Sequence, residues 1–196
     1  MDQQEIIDMI QPHFEALESM YNNSMVWVNS IMDTHPTGYF GRTKATLLHN
    51  RVANLADEYF RDMPDIDSDK KYESIQIIFE KKVSVKFKKI NKKSKLSSNI
   101  PTNRIVGMLS QQYSLFPEEN IKLEYVEAGY IVNQTWTDIE KIILLFRMNN
   151  NIIWSYEISG SGNIGLDTNP ITTNPVDPTP TPTTESETQI KIKKQS

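Results

Sequence analysis

The chain has no cysteine. That absence removes disulfide scaffolds, thiolate zinc fingers, iron–sulfur clusters and cysteine nucleophiles. Long hydrophobic runs are missing too, since no window approaches the roughly 18 consecutive apolar residues that a membrane helix needs. The N-terminus, from Met1 and Asp2 to Ile10, is acidic where a secretory signal would be basic and then apolar. The expectation is a soluble, cytoplasmic protein that engages no membrane. Glycine is scarce, with 7 in 196 residues, and none stands in a phosphate-cradling G-x-G-x-x-G or G-x-x-x-x-G-K-[ST] pattern. H-E-x-x-H and H-x-E with paired cysteines are absent as well. Gly160-Ser161-Gly162 lacks the strand–elbow–helix setting of a hydrolase nucleophile. No motif implies a metal or a cofactor.

What is present suits one domain of ordinary size with an appendage: 38% apolar and 23% charged residues. Aromatic residues vanish after Gly165, where five of the ten prolines gather (Pro170, Pro175, Pro178, Pro180 and Pro182). Such a segment buries too little apolar surface to offset the entropy of ordering it. Its alternating Thr-Pro run favours an extended spacer. Residues 161–196 are therefore expected to form a disordered Thr/Pro-rich tail, ending in the basic stretch from Gln189 to Ser196.

Ahead of the tail, helices come first and strands afterwards. Ile6, Ile7, Ile10, Phe14, Leu17, Met20, Tyr21, Met25, Val28 and Ile31 recur near the helical repeat, with Pro12 ending a short first helix or kinking a longer one. A turn-rich stretch from Asp33 closes this N-terminal helical segment, residues 1–38. A second helix should run from about Arg42 to Arg61, burying Ala45, Leu48, Val52, Leu55, Ala56, Tyr59 and Phe60. Pro64 and an acidic loop from Asp62 to Asp69 terminate it. Beyond Tyr72 the period changes to two. Ile75, Ile77 and Phe79, then Val83, Val85 and Phe87, read as a β-hairpin. A helix should begin near Pro101, a strand interrupted near Gly129 should span 121–133, and residues 141–148 and 152–158 should close a last hairpin. The expected fold is α+β: N-terminal helices packed on a mostly antiparallel sheet of about five strands, with residues 39–160 as the core domain.

Charge is the strongest functional signal. Residues 81–104 hold Lys81, Lys82, Lys86, Lys88, Lys89, Lys92, Lys93, Lys95 and Arg104 with no Asp or Glu, a window of +9 in a chain of −4, which leaves −13 elsewhere. Such local density suits a phosphate backbone. It also suits an acidic protein surface, or a solvated strand edge that uses lysine against aggregation. On the second helix Arg42, Thr46, His49 and Asn50 fall on one stripe, where Arg and His converge to hold an anion or poise a proton. His13 and His35 lack carboxylates at metal-ligand spacing. A metal-dependent nuclease would draft Glu73, Glu80 and Lys82 or Lys86 at the hairpin end, without an Asp on the preceding strand.

Arg42-Thr-Lys-Ala through His49, the hairpin ending Lys86-Phe-Lys-Lys-Ile90, Ser98-Asn-Ile-Pro-Thr102, Ala128-Gly-Tyr130 and the apolar strand closing on Trp154 together resemble a bacterial family from two-gene toxin–antitoxin or phage-defence modules. In those modules the neighbour combines a helix-turn-helix with a metallopeptidase-like domain. The resemblance spans residues 40–158 and leaves out the N-terminal helices and the tail. It implies a toxin-like or effector member with a cognate antitoxin-like partner. Arg42, His49, Lys86, Lys88, Lys89, Asn99, Pro101 and Thr102 fill the matching positions. With Lys92, Lys93 and Arg104 from the basic window, these residues other than Pro101 form the candidate site for nucleic acid or another polyanion. Two alternatives stand beside it: a non-enzymatic inhibitor whose helical N-terminus supplies an apolar interface, and a cryptic nuclease or transferase. Oligomeric state is left open by the residues alone.

Overall fold

The computed structural model describes residues 1–34, 38–71, 74–97, 103–110, 123–149 and 151–158. His35, Glu73, the turn from Ser98 to Thr102, Gly160–Gly162 and the Thr/Pro-rich tail lie outside these residues.

Helix α1 (Gln3–Ile10) opens on a reciprocal cap. Asp2 accepts from the Glu5 amide at 2.8 Å, and the Glu5 carboxylate accepts from the Asp2 amide at 2.9 Å. As expected, Pro12 marks the end of a short first helix, since α1 stops at Ile10. It sits in a single 3₁₀ turn, Gln11–His13, from which α2 (Phe14–Asp33) continues, so its missing donor falls where the ladder is already broken. Helix α3 (Gly41–Phe60) matches the expected span to within a residue.

Six strands follow in one sheet, ordered β1 (Ile66–Lys71), β2 (Ser74–Phe79), β3 (Val83–Lys89), β4 (Glu124–Val132), β5 (Ile139–Met148) and β6 (Asn151–Glu157). All neighbours are antiparallel except β3 and β4, which run parallel and are joined by the segment carrying the short helix α4 (Asn103–Leu109). Of the expected acidic loop, Asp62 to Asp65 turn the chain after α3, and the rest, from Ile66, is the edge strand β1. Ile66 is its single apolar residue, so no alternation marks it, and it is held by main-chain pairing to β2. Its Asp and Lys side chains are what a protected edge carries.

One face of the sheet takes the helices. Ile75, Ile77, Phe79, Val83, Val85, Phe87, Val126, Ala128, Tyr130, Ile142 and Leu144 meet Ile6, Ile10, Leu17, Tyr21, Val28, Leu48, Val52, Ala56 and Phe60 in a single core. The N-terminal segment and the core domain thus share one hydrophobic interior. The Tyr21 hydroxyl, fully buried, donates to the Ala128 carbonyl at 2.5 Å and ties α2 to the middle of β4.

On the opposite face Ile90, Ile131, Ile143 and Leu145 form a smaller cluster. Gly129 belongs there. It does not interrupt β4, which runs straight through it. A β-carbon at Gly129 would overlap the Ile90 side chain, so glycine is what lets the end of β3 close over the strand.

Candidate functional site

Alternation in the strands sends Gln76, Ser84, Lys86, Lys88, Tyr125, Glu127 and Arg147 to the face away from the helices. Register then lines them up. Gln76 pairs Lys86 and Lys86 pairs Glu127, while Ser84 pairs Tyr125 one step along. Gln76, Ser84, Lys86, Glu127 and Arg147 are all buried. Glu127 is the hub: Arg147 Nη2 lies 3.1 Å from its carboxylate, the Ser97 hydroxyl 2.8 Å from both its oxygens, and the Tyr125 hydroxyl 3.3 Å from Oε1. Arg147 also donates to Ser97 Oγ at 3.0 Å and to the Asn149 carbonyl at 3.2 Å. Gln76 donates to Ser84 beside this group. Burial drives the Tyr125 phenol well above its ordinary value, and the neighbouring Glu127 carboxylate adds to that rise. Burial lowers the Lys88 ammonium, Glu127 pulling against that and Arg147 with it.

The network fixes the basic loop. Ile90 N donates to Tyr130 O at 2.9 Å, Asn91 and Leu96 close a tight turn at 3.0 Å, and Ser97 bridges back to Ile90 before reaching Glu127. Lys92 and Lys93 are exposed on that turn, just beyond the end of β3. Lys92 pairs with Glu140 at 2.6 Å, a surface contact worth little.

Lys89 points to the helix side. Its ammonium lies 4.0 Å from the centroid of the Trp136 ring, on the β4–β5 loop. That loop is wound around Asn133, whose side chain accepts from the Thr137 amide at 2.9 Å and donates to Thr137 Oγ1 at 2.7 Å. Asn29 of α2 holds the Thr137 carbonyl at 2.8 Å. Trp136 sits at φ 61°, a left-handed conformation that bulky residues rarely adopt. Its indole lies in van der Waals range of where a Gly41 β-carbon would stand, at the start of α3. Phe40 is the N-cap there and supplies no side-chain hydrogen bond to the first-turn amides. Its ring is 85% exposed.

The anticipated site residues therefore divide. Arg42, Lys89, Lys92 and Lys93 are exposed, whereas Lys86 is buried and Lys88 and His49 are half-buried. Arg42 and His49 lie on α3, which packs on the helix face, while Lys86 and Lys88 project from the other. The sheet separates the two sets, and it is Lys89, through Trp136, that meets the start of α3. Lys81 and Lys82 occupy the β2–β3 turn at the opposite end of β3, roughly 20 Å away along a seven-residue strand. Arg104 lies on α4, and Asn99 and Thr102 are outside the described residues. Glu80, drafted for a nuclease, is an exposed turn residue paired with Lys82 at 2.7 Å. Among the described residues no group of three or more His, Asp or Glu is placed to hold a metal ion, and no helix is long and apolar enough to cross a membrane.

Sequence reasoning missed Glu127, Arg147, Gln76, Tyr125, Ser97 and Trp136. For the first three the signal was a polar residue set singly in a largely apolar run: Gln76 in β2, Glu127 in β4 and Arg147 in β5.

His49 and His13 give a pH prediction. Burial lowers both imidazoles from the usual 6.5, and Lys88 and Lys86 lower His49 further through their field. Below that value the unfolded chain binds protons at these rings that the folded chain refuses. Stability is therefore lost as pH falls through 6.5 and is unaffected by these groups above it. Denaturation midpoints between pH 7.5 and about 5.5 should fall less steeply in His49→Gln than in the parent.

Fold and site together define an α+β protein with a mixed six-stranded sheet, one face apolar under helices and the other centred on a buried Glu–Arg–Ser network. Comparisons with protein-family models, curated proteins and solved structures return no match to this chain.

Proposed function

We propose that the chain is an effector that grips single-stranded nucleic acid at the end of β3. The observation that carries this reading is the juxtaposition of Lys89 with Trp136 against the start of α3. Around it stand exposed Arg42, Lys92 and Lys93, the uncapped first turn of α3, and a bare aromatic ring at Phe40. Cations flanking an exposed aromatic platform suit a strand whose bases are free to stack, and uncapped helix amides suit a phosphate. The buried Glu127 network supports the same reading, because it holds the loop bearing Lys92 and Lys93 in place before any ligand arrives. On the resemblance drawn from the sequence, this effector is the toxin-like member of a two-gene defence module, restrained by a cognate partner.

A non-enzymatic inhibitor is the second reading. It rests on Val26, 69% exposed, and its neighbour Trp27 on the outer side of α2, since the inner side of that helix is spent on the core. The test is binding of labelled single-stranded RNA or DNA by fluorescence anisotropy, with a duplex of the same sequence as competitor. The proposal expects single strands to bind more tightly. Phe40→Ala should lose about 1–3 kcal/mol, the worth of one stacked base, with the thermal midpoint unchanged. Equal affinity for duplex, or indifference to Phe40, would count against it.

A further inference from the structure

The two edges of the sheet are built differently. Edge β1 carries Asp67, Asp69, Lys70 and Lys71, which discourage another strand from pairing. Edge β6 reads Asn-Ile-Ile-Trp-Ser-Tyr-Glu, and its only charge, Glu157, is engaged by Lys141 at 2.7 Å. It has no proline and no lysine. Where the pairing with β5 slips beside Phe146, Ile153 is left unpaired and 49% exposed.

The direction of the outward main-chain groups follows from the ladder. Ile158 N donates to Ile142 O at 2.8 Å, and Tyr156 and Trp154 continue the same alternation against Leu144 and Phe146. Ser155 therefore turns its amide and carbonyl away from β5, to the side where no strand pairs among the described residues.

We propose that β6 is the interface for a second copy of this chain, pairing antiparallel about a two-fold axis at Ser155. The sequence is complementary to itself in that register. Ser155 meets Ser155 of the other copy through the outward main-chain groups, and Trp154 lies opposite Tyr156 on the helix side, twice over. Ile153 lies opposite Glu157. Aromatic cross-strand pairs are favourable contacts, and a two-fold interface supplies each of them in duplicate. The two glutamates fall roughly 13 Å apart along the strands, so the only charge on the edge does not face its own image. On β1 a two-fold axis at Ser68 would set Asp67 opposite Asp69, carboxylate against carboxylate, twice over.

The test uses the full chain. Sedimentation across a concentration series should show a monomer–dimer equilibrium, and Ser155→Lys should weaken it at least about fivefold by placing like charges directly opposite. Because the chain has no native cysteine, Ser155→Cys gives a second readout. Paired residues in this register stand about 5.5 Å apart at Cα, within disulfide range. Oxidised glutathione should convert Ser155→Cys to a covalent dimer and leave Asp67→Cys, on the other edge, monomeric. A parent that stays monomeric at hundreds of micromolar overturns the proposal. So does a dimer that Ser155→Lys does not weaken, or one that Ser155→Cys does not trap.

Discussion

Arg147→Ala is expected to destabilise the fold by about 3–5 kcal/mol, the cost of leaving one member of a buried ion pair without the other. Arg147 and Glu127 are 3% and 0% exposed at 3.1 Å, so solvent cannot take over the role of the missing partner. The Ser97 and Tyr125 hydroxyls would still donate to the Glu127 carboxylate and Lys88 would still act on it through its field, but the charged partner at 3.1 Å would be gone. Removing both charges at once should cost much less: Arg147→Met with Glu127→Leu replaces a desolvated pair by apolar volume, which is often close to neutral. Urea denaturation of the two single variants and the double variant measures the coupling. A double variant no more stable than either single variant would show that the pair is not the unit that matters. The double variant should also loosen the loop that Ser97 anchors, and hydrogen exchange at Asn91 to Leu96 should rise even where global stability is retained.

The second large effect is on binding. Replacing Lys89, Lys92 and Lys93 together by alanine should weaken single-strand binding about a hundredfold at 0.1 M salt. Each phosphate neutralised on a single strand releases about 0.7 of a counterion, worth roughly fivefold at that concentration. The fold should survive, because all three side chains are exposed and the pair between Lys92 and Glu140 lies at the surface. Lys81→Ala with Lys82→Ala is the matched control. It removes charge from the same basic window but at the far end of β3, and should change affinity little.

The helices and the hairpin of β2 and β3 were legible because their apolar positions repeat with one clear period. The helical pattern from Ile6 to Val28 and the alternation from Ile75 to Phe87 both report a face pressed on a single core. Strand β1 was not legible, since an edge strand needs only main-chain partners and its polar side chains carry no period. The buried network was hidden for a related reason. Lys86 alternates with apolar residues as a solvent-facing position does, Glu127 and Arg147 stand singly in apolar runs, and nothing in one strand reveals that its polar neighbours on the next strands face it under cover. Pairing of β3 with β4, distant in the chain, is what brings Lys86 beside Glu127. Trp136 was obscured because its position depends on a turn wound around Asn133. The basic window was visible in composition, but its division between two ends and two faces of the sheet is a property of the strand.

Whether cations at the end of β3 hold a phosphate backbone is read from the slope of log association constant against log salt, for a labelled single strand, in the parent and in the Lys89, Lys92 and Lys93 triple variant. A steep negative slope is expected in the parent and one about 2 units shallower in the variant, three contacts at about 0.7 each. A parent whose binding is indifferent to salt, or two slopes that coincide, would contradict that reading.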